Sequence, residues 1–191
     1  MGADLAAASD EGLLKATLRG DEEAFVEIYR RHRDRVYRFA YRMTGSPDAA
    51  RDITHNCFAS LLETPARYDG RASLGTYLCA AARHQSLRLA SRIWRERPMP
   101  VAADRADGGP SPLDLLLEGE RARIVREELQ ALAPLHREVL ILVEYEELDL
   151  ATVAEIVGAE VGTVKVRLHR ARRKLRDSLQ SLRCRGALTI G

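Results

Sequence analysis

The chain has 191 residues, enough for one or two small domains with real cores. Its formal charge is only +2, and its three cysteines (Cys57, Cys79, Cys184) show no CxxC spacing, which argues against a disulfide framework or zinc ribbon and fits a reducing cytosol. No N-terminal segment pairs a basic start with an apolar run, and nothing approaches the ~18 apolar residues of a membrane span, so a soluble, cytoplasmic protein without membrane insertion is expected.

Apolar spacing is helical almost throughout and strand signals are nearly absent, so the expected class is all-α. A short first helix over residues 10–19 is closed by Gly20. Asp21 then caps a second, in which Phe25, Ile28, Tyr29, His32, Val36, Phe39, Ala40 and Met43 share one face up to Gly45. Ser46-Pro47 joins an N-cap to a proline at the first helical position and starts a third helix that runs to about Glu63. Residues 65–72, PARYDGRA, form a loop, after which Ser73 caps a fourth helix reaching about Arg97. Over 98–112, PMPVAADRADGGPSP, four prolines, two glycines and almost no apolar periodicity predict a flexible linker. Beyond it come a helix over roughly 113–131, another from Pro134 to about Tyr145, and a final helical pair. Two helical domains, 10–97 and 113–183, joined by that linker are therefore expected.

The final pair is the most telling stretch, DLATVAEIVGAEVGTVKVRLHRARRKLRDSLQSL. Asp149 is a good N-cap; Leu150, Val153, Ala154 and Val157 recur at helical spacing; Gly158 supplies the left-handed residue of a helix stop. A longer helix starts near Val161. Two helices joined by a short, glycine-containing turn form the helix-turn-helix pattern, whose second helix enters the DNA major groove. On that helix Val164, Leu168, Ala171, Leu175, Leu179 and Leu182 make one apolar stripe. The opposite side carries Val166, His169, Arg170, Arg173, Lys174 and Arg176, with Thr163 and Lys165 at its start. From Thr163 to Arg185 nine Lys/Arg stand against one acid, Asp177, whereas residues 113–160 hold twelve acids against four arginines. Such asymmetry focuses a positive field on one surface. A bare charge run is usually a solvated face; on a helix already nominated for the groove, DNA contact is the better reading.

The fourth helix and its preceding loop interleave aromatics and bases: Tyr68, Tyr77, Arg83, His84, Arg88, Arg92, Trp94, Arg95 and Arg97. Aromatic faces stack on unpaired bases while arginines neutralise phosphate, the chemistry of single-strand binding. Taken singly, Tyr77 is as readily a core residue, spaced helically from Leu74, Leu78 and Ala81. The combination with a DNA-reading second lobe favours strand capture.

These linked motifs resemble the sigma-70 type transcription initiation factors, in particular the extracytoplasmic-function (ECF) group, over about residues 10–183. VGTVKVRLHRARRKLRDSL is similar to that family's region 4 recognition helix, and LAPLHREVLILVEYEELDLATVAEIVG to the segment before it. FVEIYRRHRDRVYRFAYRMTGSPDAARDITHNCFASLLE resembles regions 2.1 and 2.2, and RYDGRASLGTYLCAAARHQSLRL regions 2.3 and 2.4. The resemblance implies a first lobe that docks on core RNA polymerase, whose β′ and β subunits become partners. Docking on the β′ coiled coil would use the third helix, at Asp52, His55 and Asn56. It implies melting of a promoter's −10 element with a flipped base held near Tyr68, Arg71 and Tyr77, and with Arg83, His84, Arg88 and Arg92 along the helix below. It also implies reading of the −35 duplex by Thr163, Lys165, Val166, Arg167, His169, Arg170, Arg173 and Lys174. An anti-sigma partner follows by the same resemblance.

Some positions depart from the family pattern. His55 and Asn56 stand where the family usually has Gln and an acid, so one charge is missing from the docking surface. His84 replaces a usual Asn and Tyr77 a usual Trp, and histidine's donor pattern depends on tautomer and pH. Val166 replaces a usual Ser; an exposed valine is ordinary, and contact with a thymine methyl is the functional alternative.

A rival reading is an autonomous helix-turn-helix regulator acting without polymerase, which would leave the first lobe's aromatic-basic surface without a task. A metal or redox sensor on His55, Cys57, Cys79 and His84 has no pair at chelating i, i+4 spacing, so no metal or other cofactor is expected. With no nucleotide-cradling glycine loop, nucleophile elbow or paired carboxylates in a plausible cleft, the chain reads as a non-enzyme.

Overall fold

The structure, a computed structural model, describes residues 5–96 and 120–184. Among the described residues the elements are α1 (Asp10–Thr17), α2 (Glu22–Thr44), α3 (Pro47–Glu63), a 3-10 turn (Pro65–Arg67), α4 (Leu74–Glu96), α5 (Glu120–Gln130), α6 (Pro134–Glu144), α7 (Leu150–Val157) and α8 (Val161–Cys184), with no strand. The expected all-helical class is thus the observed one. The linker read over 98–112, the end of the fourth helix at Arg97 and the start of the helix over 113–131 lie outside the described residues.

The caps explain the boundaries. Ser9 Oγ accepts the Gly12 N–H at 3.2 Å, Asp21 Oδ1 that of Ala24 at 3.0 Å, and Ser73 Oγ that of Thr76 at 3.2 Å, each satisfying an amide that the first turn leaves open. Asp149 Oδ1 does the same for Ala151 and Thr152 at 2.9 and 3.0 Å. The Thr152 hydroxyl, which donates to Asp149 Oδ2 at 2.6 Å, and then those backbone bonds hold the Asp149 carboxyl below the usual carboxylate range. One boundary differs from expectation: α1 ends at Thr17, because Arg19 and Gly20 close the last turn with tight bonds to Ala16 and Thr17 carbonyls.

The described residues form two compact units, the first from residues 5–40 and 48–85, the second from 41–47, 86–96 and 120–184. In the first, Leu13 and Leu14 of α1, Ile28, Val36 and Phe39 of α2, Ile53, Phe58 and Leu61 of α3, and Leu74 and Leu78 of α4 are buried. Of the α2 face read from the sequence, Ile28, Val36, Phe39, Ala40 and Met43 are buried, while Tyr29 is exposed. Arg31 ties down the start of this unit: its guanidinium donates to the carbonyls of Leu5, Ala6 and Ala8 at 2.8–2.9 Å and to Asp10 and Glu27. Bonds from Arg30 and Arg31 hold the Glu27 carboxyl down at about 2, and His32 Nε2 meets Asp10 at 2.8 Å.

In the second unit α8 packs chiefly on α6, then on α7 and α5. Val164, Leu168 and Ala171 are buried, as are Val139, Leu140, Ile141 and Leu142 of α6 and Val153, Ala154 and Val157 of α7; Leu175, Leu179 and Leu182 continue the stripe half-buried. Gly158 has φ 63° and its N–H bonds back to α7, ending that helix in the left-handed turn that lets α8 start three residues later. Arg137 of α6 is buried, although nothing in the apolar spacing announces it. Its guanidinium donates to Met43 O, Gln130 O (2.6 Å), Gln130 Oε1 (2.6 Å) and Leu132 O (3.0 Å). Gln130 Nε2 donates to the Arg42 carbonyl at 2.6 Å. The last-turn carbonyls of α2, which have no partner within their own helix, are satisfied in this way.

Candidate nucleic-acid interfaces

The helix-turn-helix face is built by α7, its glycine turn and α8. Asp149 and Gly158 fix where α7 begins and ends, and the buried stripe of α8 sets which side faces out. Thr163, Lys165, Val166, His169, Arg170 and Arg173 are all exposed on that side. Two of the expected contact residues are drawn elsewhere. Arg167 is only 24% exposed and its Nη1 lies 3.8 Å from Oε1 of Glu138, a carboxylate with no exposure at all. Lys174 donates to the Ala131 carbonyl at 3.2 Å and lies 5.7 Å from the Trp94 ring centre, close enough for attraction to its π face. Off the outward face, Arg172 bonds Glu144 through Nε at 2.7 Å.

The electrostatics of this face are visible in a neighbour. His136 of α6 titrates below its usual range, first because of burial and then because of the charges of Arg170, Arg167 and Lys174. A neutral imidazole is thus held beside a concentrated positive field, the kind of field that draws in phosphate.

In the first unit the loop before α4 and the start of α4 bring two aromatics together. The Tyr68 and Tyr77 rings meet edge to face with centroids 5.2 Å apart, and Tyr68 Oη donates to the Ala72 carbonyl at 3.0 Å. Both are half-buried, and burial is the leading cause that raises both phenols above their ordinary range. Arg71 is exposed at the tip, its Nε 3.2 Å from Asp69 Oδ2, where Gly70 takes the turn with φ 75°. His84 is exposed and Arg83 half-buried further along α4; Arg88 and Arg92 follow on the same helix, both exposed. A half-buried aromatic pair with an exposed arginine in the same loop can stack on a base and hold phosphate.

On α3, Asp52, His55 and Asn56 are exposed, with Asn56 Nδ2 3.3 Å from Gln85 Oε1. The structure adds an apolar flank that the sequence reading missed. Phe58 is buried edge-on against Tyr29 (4.8 Å) and Phe25 (6.5 Å), while Tyr29 is 36% and Leu62 41% exposed. His55 and Leu62 lie two turns apart on one face of α3, which was the available signal.

Cys57 and Cys79 are buried, and burial pushes the Cys57 thiol up to about 12. His55 and His84 point to solvent, and among the described residues no group of three or more His, Cys, Asp or Glu is placed to hold a metal. No helix among them is long and apolar enough to cross a membrane.

Residues 28–96 match the Sigma-70 region 2 family and residues 122–175 the Sigma-70 region 4 family. The chain is 27% identical over 182 residues to the ECF RNA polymerase sigma factor SigW of Bacillus subtilis, covering 88% of this chain and 96% of that one. It is 29% identical to the ECF sigma factor SigK of Mycolicibacterium vanbaalenii, covering 92% and 91%. Among solved structures it resembles CnrH, determined with the cytosolic domain of CnrY (TM-score 0.66, 21% identity, 91% of this chain and 99% of that one). It also resembles the sigma factor RpoE of Bartonella quintana, determined with the anti-sigma factor NepR (TM-score 0.61, 21% identity, 82% and 96%). Both regions of the family occur in order and together take in more than half of the residues: the chain belongs to the sigma-70 family, within its extracytoplasmic-function group.

Proposed function

We infer that this chain is an ECF-type sigma factor, which binds core RNA polymerase and directs it to start transcription at chosen promoters. The observation that carries the reading is the pairing of two unlike surfaces, each inside the matching region of the family. A half-buried Tyr68–Tyr77 pair suited to an unpaired base falls in region 2, and a cationic outward helix face suited to the duplex falls in region 4. In this division of labour, Tyr68, Arg71 and Tyr77 hold a base of the opened −10 element while Arg83, His84, Arg88 and Arg92 follow the strand. Thr163, Lys165, Val166, His169, Arg170 and Arg173 face the −35 duplex; Arg167 and Lys174 act from its edge, since each is already tied to its own unit. Asp52, His55 and Asn56, with the apolar flank of Tyr29 and Leu62, form the polymerase-docking face. Sigma factors make polymerase selective without doing bond chemistry, and this chain is read likewise as a non-enzyme. A cytoplasmic location follows from that partnership. The solved structure of RpoE with the anti-sigma factor NepR supports an anti-sigma partner here as well.

Two consequences are measurable. Asp52→Ala should lower association with core polymerase by about three- to ten-fold, because an exposed charge at a docking edge governs mainly encounter and register; an unchanged pull-down would move docking elsewhere. Promoter binding by the loaded polymerase should weaken linearly in log affinity against log salt, and Arg173→Ala should flatten that slope by about one unit if it neutralises a phosphate. A native gel with promoter duplex, run with and without core enzyme, separates this reading from an autonomous regulator. Specific binding should need core.

A further inference from the structure

We propose that Val166 reads the C5 methyl group of a thymine in the duplex that α8 enters, and so sets base preference at one position of the upstream element. The proposal rests on the reading of α8 as the duplex-reading helix and assigns one residue of it a chemical target. Steps of three and four along α8 align Thr163, Val166, Arg170 and Arg173, which puts Val166 in the middle of the outward face. It is 49% exposed, and Lys165, His169, Arg170 and Arg173 around it are exposed as well. Arg167, next in sequence, is drawn in towards Glu138 instead of extending outward.

A valine here does little for the fold. Its side chain is half in water, and its β-branch makes it a poorer helix former than most residues. It has no donor or acceptor with which to read a base edge or bind a phosphate. What it offers is a small apolar surface, and the apolar group that base edges display in the major groove is the thymine methyl. The surrounding cations match the phosphates on either side, which leaves the valine facing the bases.

The test uses core polymerase loaded with the full chain on a duplex library randomised upstream of the start site. From the strongest selected promoter, each upstream thymine is replaced in turn by deoxyuridine, which keeps every hydrogen bond and removes only the methyl. With the unaltered chain, one such replacement should weaken promoter binding about four-fold, the weight of one buried methyl-sized group. With Val166→Ala, thymine and uracil at that position should bind alike, both near the level of the unaltered chain on uracil. Selective transcription without a uracil-sensitive position, a selected element lacking thymine, or discrimination that survives Val166→Ala would overturn the proposal and leave the sigma reading standing. No transcription from any library member would overturn both.

Discussion

Replacing Arg170 with alanine should lower promoter-directed initiation by about ten- to hundred-fold, the range set by losing one good contact to a base edge, while association with core polymerase stays unchanged. Arg170 is exposed in the third turn of α8, one turn beyond Val166. Its removal leaves the buried stripe of Val164, Leu168 and Ala171 untouched, and alanine is the better helix former. The melting temperature should therefore hold or rise slightly, and the loss would belong to recognition. Binding assays with core enzyme alone, run beside run-off transcription, separate the two quantities. Equal loss in both would refute the division of labour between the units.

Arg137→Ala should act in the opposite way, through stability. The guanidinium is buried and satisfies carbonyls of Met43, Gln130 and Leu132. Alanine would leave those acceptors inside without that donor, at a cost of about 3 kcal/mol. For a chain of this size such a loss lowers the melting temperature by about 10 °C. Arg137→Lys should recover only part of it, because a single ammonium on a flexible stem cannot reproduce a planar fork that reaches several carbonyls at once. Calorimetry showing either variant melting within about 2 °C of the unaltered chain would show that this network does not hold the second unit together.

Much of the helical architecture was legible because its signals are local. Asp21, Ser73 and Asp149 cap the helices they precede, and Gly158 stops α7, each through bonds spanning only a few residues. The outward side of α8 was readable for the same reason, since its buried stripe fixes the opposite face. What the residues did not disclose depends on partners far away in sequence. Arg137 bonds a carbonyl 94 positions earlier, and Lys174 reaches back 43 positions to Ala131. Arg167 turns towards Glu138, a buried carboxylate that looked like one more acid in an acidic stretch. In the loop ahead of α4, Tyr68 and Tyr77 were both legible as candidates, but not their edge-to-face contact, which needs the turn around Gly70 to bring residue 68 over the start of the helix.

Reconstituted run-off transcription tests the central claim most directly, with purified core RNA polymerase, the full chain and a template library carrying randomised upstream sequence. The account predicts transcripts from discrete start sites, dependent on the chain, with enrichment of a paired upstream and start-proximal element. If the chain neither associates with core enzyme nor brings about initiation at any template, the account is contradicted.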